Sequence, residues 1–105
     1  MKIVLDTNFL ISSLLNPDGN PARILNLILA EKITLLYDNR ILNEYHDVLL
    51  RKKFGFTDDL ILPLIDFIKH ECLFINAQPI NMEFKDEDDK KFYEVFKSGE
   101  GDYLI

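Results

Sequence analysis

Met1-Lys2-Ile3-Val4-Leu5-Asp6-Thr7-Asn8 opens the chain, and the fold is decided by how these eight residues are read. Ile3, Val4 and Leu5 form an unbroken apolar run, the pattern of a strand buried on both faces. The run ends on a carboxylate and two small polar residues, and helix-like apolar spacing resumes from Phe9 to Leu15. In an open α/β sheet, ligands bind at the carboxyl ends of the strands. A carboxylate placed there needs a partner, because an unpaired buried charge is costly. Thr7 and Asn8 suit a helix N-cap, which would set helix-end amides beside Asp6.

Working outward, short apolar runs alternate with amphipathic segments, the signature of βαβα units around a mainly parallel sheet. Lys2–Asp6 reads as the first strand and Phe9–Leu15 as a short helix. Asn16 to Pro21 is a turn-rich break, followed by a helix over Ala22–Glu31 and a second strand at Thr34–Tyr37. Asp38 or Asn39 can cap a helix running to about Leu50, and Gly55 closes that region. Thr57-Asp58-Asp59 opens another helix reaching Lys69, with Pro63 leaving its start open. Leu73–Ile75 is the third strand, Gln78–Lys85 a loop or edge segment, Asp86–Lys97 a helix, and Asp102–Ile105 a fourth strand. The 105 residues read as a single α/β domain whose chain stops inside an apolar strand, so a truncated C-terminus is expected.

Composition narrows the class. Apolar residues make up 48% of the chain, enough to exclude a disordered tail. Cys72 is the sole cysteine, so no intrachain disulfide can form, and its apolar setting reads as core packing and not as a nucleophile. No apolar stretch approaches membrane-spanning length and no signal-peptide layout opens the chain, so the cytoplasm is the expected location and no membrane partner is expected. A net charge of −6 opposes nucleic-acid binding through bulk charge. Bound divalent cations would offset most of it and put positive charge where it is used.

Three carboxylates are candidates for such a site. Glu44 borders the apolar arc of Ile41, Leu42, Tyr45, Val48 and Leu49. Asp89 stands in the i, i+3, i+4, i+7 series with Phe92, Tyr93 and Phe96, and Asp88 is nearly as inward, so periodicity leaves the two open. With Asp6 at a strand end, these acids can converge on one pocket. Each also has a plain structural role. Asp86 to Asp89 suit a helix N-terminus, Glu44 can pair with Arg40 or Arg51, and Asp6 can be a cap. Carboxylates favour Mg²⁺ or Mn²⁺, and no His/Cys cluster points to zinc; His46 and His70 read as isolated helix-surface residues. Such ions activate water and stabilise in-line displacement at phosphorus. Arg51-Lys52-Lys53, the only basic run, reads either as a helix C-terminus or as a phosphate-contacting rim; Phe54 and Phe56 beside it suit core packing or base stacking.

The opening Ile3-Val4-Leu5-Asp6-Thr7-Asn8, the helix bearing Glu44, and Asp86-Glu87-Asp88-Asp89-Lys90-Lys91-Phe92 before Gly101-Asp102-Tyr103-Leu104-Ile105 resemble PIN-domain ribonucleases. The likeness is greatest to the PIN-family toxins of prokaryotic toxin–antitoxin systems, and it runs the length of the chain. It implies a three-layer α/β/α sandwich and Mg²⁺- or Mn²⁺-dependent cleavage of single-stranded RNA, a water activated among the carboxylates attacking the scissile phosphate. On the family pattern Asp6, Glu44 and Asp89 match the catalytic metal ligands, the last preferred over Asp88 because it stands three before Phe92. Asp102 is an additional candidate ligand, Thr7 and Asn8 would orient Asp6, and Arg51, Lys52 and Lys53 would contact RNA. The family's fourth acid follows the last strand here and lies beyond Ile105. Family habit implies an antitoxin protein partner and a homodimer. Two rivals stand beside this reading. One is a catalytically inert truncated module serving protein–protein contact. The other is a phosphohydrolase with Asp6 as nucleophile, disfavoured because Asn8 stands where such enzymes carry a second Asp.

Overall fold

A computed structural model describes residues 1–105. Four short parallel strands, β1 (Lys2–Val4), β2 (Thr34–Tyr37), β3 (Leu73–Phe74) and β4 (Tyr103–Leu104), lie in the order β3-β2-β1-β4. Five helices connect them: α1 (Thr7–Leu15), α2 (Asn20–Leu29), α3 (Asn39–Leu49), α4 (Asp58–Glu71) and α5 (Lys90–Ser98). The chain steps outward from β1 to β3 and then crosses back to add β4 on the other side of β1. Right-handed crossovers therefore send α5 to the sheet face opposite α1 and α2. α5 packs on β1, β2 and β4, and α1 packs on α2 and α3. The architecture is the expected α/β/α arrangement. No helix is long and apolar enough to cross a membrane.

Ile3, Val4 and Leu5 are at most 1% exposed, as burial on both faces requires. They meet Leu35 and Leu36 of β2, Ile41, Tyr45 and Leu49 of α3, and Phe92 and Val95 of α5 in one core. Regular pairing in β1 ends at Val4, yet the ladder's main-chain bonding continues: Ile105 donates to Val4 and Asp6 donates to Ile105, at 2.9 and 2.6 Å. Asp6 thus stands at the carboxyl end of the central strand, where the connections diverge to either side of the sheet.

Several local expectations are corrected. The residue at the N-cap position of α1 is Asp6, and Thr7 and Asn8 fall in the first helical turn. Helix α2 begins two residues early, because Pro21 occupies its first turn, where a missing N–H costs nothing. Helix α4 starts at Asp58 and runs through Pro63; Pro63 and Asp59 are both exposed, so the carbonyl left unpaired faces water. β3 is an edge strand with Leu73 and Phe74 exposed, so only Cys72 and Ile75 of that apolar run pack against the core. Cys72 is half-buried, and burial, aided by Glu71 and Glu31, pushes its thiol up to about 12, which removes it as a nucleophile. The Asp86–Lys97 segment divides into a 3-10 turn at Glu87–Asp89 and the helix α5. Tyr93 consequently turns outward, against Phe84 at 5.0 Å, and Glu94 turns inward.

Candidate functional site

Three elements bring acids together at the carboxyl end of β1. Asp6 follows directly from the buried strand. Glu44 comes from α3, whose start is fixed by Asp38: its carboxylate accepts from the Ile41 N–H at 3.0 Å. The neighbouring Tyr45 is fully buried and donates its hydroxyl to the Leu5 carbonyl, tying α3 to the end of β1. Tyr45→Phe is expected to lower unfolding stability by about 1 kcal/mol in urea titrations, the usual worth of such a bond. Asp88 and Asp89 come from the 3-10 turn, in which Asp86 accepts from the Asp88 N–H at 3.0 Å.

These residues line one cavity of about 190 Å³, formed by Asp6, Thr7, Asn8, Glu44, Asp86, Asp88 and Asp89 with Arg51, Val48 and Phe92. Burial raises the Asp6 carboxyl above its ordinary value; the backbone N–H groups of Asn8 and Thr7 oppose this, and the charges of Asp89 and Glu44 add to it. Those amides face the carboxylate without closing a cap hydrogen bond. Asp6 also helps push the buried Tyr45 hydroxyl well above its usual range, after burial itself.

Glu44 pairs with neither Arg40 nor Arg51. Its Oε1 accepts from Lys91 Nζ at 2.8 Å, and its Oε2 accepts from the Thr7 hydroxyl. The Thr7 hydroxyl therefore positions Glu44, and only its backbone N–H faces Asp6. Arg51 lines the cavity while its guanidinium reaches Asp47 at 3.6 Å. Lys52 and Lys53 lie in a 3-10 turn beyond α3, outside the cavity, and Phe54 stacks on Phe56 against the core. Asp88 and Asp89 both reach the cavity, so its lining leaves that choice open.

Asp102 is not brought to the cluster. It precedes β4, and parallel pairing sets it beside Lys2, whose N–H donates to its Oδ2 at 2.8 Å. Asp6 lies at the opposite end of the same ladder, so a side chain beside Lys2 cannot reach it.

Sequence reasoning missed two features. Lys91 reaches Glu44 from α5, and nothing in its own segment signals a partner on α3. Arg40 bridges Asp38 and Glu94, each at 2.7 Å, although both acids are nearly buried. The i, i+2 spacing of Asp38 and Arg40 hinted at half of that triad. A larger hollow of about 460 Å³ lies beside it, but its acids already have partners in Arg40.

The model of the PIN-domain family matches residues 2–105. The chain belongs to the PIN-domain family. It is 37% identical to an uncharacterised protein of Methanocaldococcus jannaschii over 99 residues, covering 90% of this chain and 63% of that protein. The chain thus spans less than two thirds of the relative's length. No solved structure matches it significantly. The PIN domain is a nuclease-type fold, and PIN domains generally are nucleases that use divalent metal ions. The donor set in this PIN domain fits a hard cation in kind, being carboxylate oxygen without His or Cys. In the ion-pairing seen here, no three of its acids close on a single point.

Proposed function

We propose that this PIN domain is a Mg²⁺- or Mn²⁺-dependent endoribonuclease acting on single-stranded RNA. The observation that carries the reading is the meeting of Asp6, Glu44 and Asp89, from a strand, a helix and a turn, in one cavity at the switch point of the sheet. Asp6, Glu44 and Asp89 would hold the ion, which supplies charge neutralisation at phosphorus and a nucleophilic water. Thr7 holds the Glu44 carboxylate in one orientation. Asn8 and Arg51 line the cavity with groups able to meet phosphate oxygens, and Lys52 and Lys53 extend the cationic side beyond it. With a net charge of −6, affinity for RNA must come from these local contacts and from the ion.

Likeness of the Asp6, Glu44 and Asp89 segments to PIN-family toxins supports placing the protein as the toxin half of a toxin–antitoxin pair, working in the cytoplasm as a homodimer bound by an antitoxin protein. The engagement of both Glu44 oxygens favours a second reading, an inert module that only binds such a partner.

Cleavage of a labelled single-stranded RNA separates the two. Cutting with Mn²⁺ or Mg²⁺, abolished by EDTA and restored by excess metal, is the expected result, with duplex RNA cut far more slowly. Cleavage that persists in EDTA overturns the metal-dependent reading. Absence of any cleavage with either ion leaves the inert module as the function.

A further inference from the structure

A lysine almost never leaves water unless it is paired, and the Lys91 side chain is only 13% exposed. Its ammonium donates to Glu44 Oε1 at 2.8 Å and to the Asp88 carbonyl at 2.5 Å, and lies 5.0 Å from the centre of the Phe92 ring. Glu44, which it holds, lines one cavity with Asp6, Asp86, Asp88 and Asp89. The ammonium is therefore paired with one of the carboxylates that would otherwise take a divalent ion, on a cavity that Arg51 also lines. With Thr7 on the other Glu44 oxygen, each oxygen of that carboxylate already accepts one hydrogen bond.

We infer that Lys91 is a resident counter-cation, which holds Glu44 when no ion is bound and competes with a divalent ion for that carboxylate. The inference rests on the metal-dependent reading above and adds a regulatory element to it. Ion binding exchanges one ionic contact for another: the Glu44–Lys91 pair opens, Glu44 turns to the ion, and the ammonium is released towards solvent. No proton moves. The exchange lowers the net affinity for metal below what the carboxylates alone would give. Lys91 is a positioning residue in this role.

Calorimetric titration of Mn²⁺ into the ion-free chain and into Lys91→Gln and Lys91→Arg tests the idea. Lys91→Gln is expected to bind Mn²⁺ about fivefold more tightly, the scale of one partly shielded ion pair. Lys91→Arg should stay within about twofold of the parent, because its charge can still compete. Equal or weaker affinity in Lys91→Gln overturns the role. Should that variant fail to fold, the parent chain still decides the matter through amine labelling read by peptide mass spectrometry. Lys91 is expected to label severalfold faster once Mn²⁺ is bound, with exposed Lys97 unchanged, and an unaltered Lys91 rate at saturating Mn²⁺ again overturns the role. Mn²⁺ binding by the parent with neither change removes only the role of Lys91. Binding by none of the proteins removes the metal reading itself, and this role with it.

Discussion

Asp6→Asn is expected to lose metal-dependent RNA cleavage by about a thousandfold or more, the scale on which removing one preorganised charge-stabilising group acts, while melting above the parent chain at pH 7. Both halves follow from one arrangement. Asp6 is placed by the buried strand β1 beside Glu44 and Asp89, and asparagine keeps its shape while removing the charge that would hold an ion. The stability half follows from linkage. Burial first, and Asp89 and Glu44 after it, raise the Asp6 carboxyl above its ordinary 3.8 in the folded chain. The folded chain then keeps the proton to higher pH than the unfolded chain. Ionisation therefore costs stability progressively as pH rises from 3.8 through the folded value, and at pH 7 that cost is fully present in the parent. Asparagine does not incur it, so its advantage in melting temperature should shrink on acidification. Differential scanning fluorimetry across pH, beside cleavage assays at saturating Mn²⁺, checks the two halves separately. Retained cleavage would show that the chemistry lies elsewhere, and a lowered melting temperature would make Asp6 a structural cap. Loss of activity with gain of stability is the signature of a residue kept for function.

The elements that position this site were legible wherever local pattern and tertiary setting agree. Thr34–Tyr37 is a strand with the expected bounds, and Asp38 caps the helix that carries Glu44, because β-branched and apolar runs followed by an Asx cap leave few alternatives. The Ile3–Leu5 run was readable as doubly buried because no polar residue interrupts it. The late acidic segment was legible only in part. Helical periodicity assumes 3.6 residues per turn, but Glu87–Asp89 is wound as a 3-10 turn at 3.0 residues per turn, so phases carried back from Phe92 slip there. That slip leaves Asp88 and Asp89 both on the cavity.

Illegible altogether were the cross-element ion pairs. Glu44 was correctly placed at the edge of an apolar arc, yet its partner stands 47 residues away on α5. Local charge spacing favoured Arg40 or Arg51, both of which the fold uses elsewhere. Asp102 failed for a related reason. Its proximity to the last strand was visible, but the direction of that strand in the ladder decides which end of the sheet it occupies, and direction is a property of topology.

Arg40→Met carries the largest expected effect on stability, a loss of about 2 kcal/mol, which for a chain of this size lowers the melting temperature by roughly 10 °C. Arg40 holds two acids at once, Asp38 at the start of α3 and Glu94 on α5, each through contacts of 2.7 Å. Glu94 also accepts from the Ile80 N–H at 2.9 Å, so the guanidinium joins three segments around the carboxyl ends of β2 and β3. Methionine keeps much of the aliphatic stem and removes the cation that joins the two carboxylates, leaving Glu94 only the charge of Lys90. Breaking a deeply buried pair would cost more, but Arg40 is half exposed, and water screens part of the loss. The pH dependence identifies the cause. The Arg40 hydrogen bond, with lesser help from the Ile80 amide and the nearby positive charges, holds the Glu94 carboxyl below its ordinary 4.5 despite burial. A depressed carboxyl contributes stability that is fully present above 4.5 and is lost as pH falls through the folded value. The gap between Arg40→Met and the parent should therefore be widest at neutral pH and narrow below pH 4.5, in urea unfolding followed across that range. A gap independent of pH would assign the loss to packing of the arginine stem and not to its charge. Because this triad lies apart from Asp6, Glu44 and Asp89, the metal affinity of Arg40→Met should match the parent, which separates what keeps the sheet's edge together from what the acidic cavity is for.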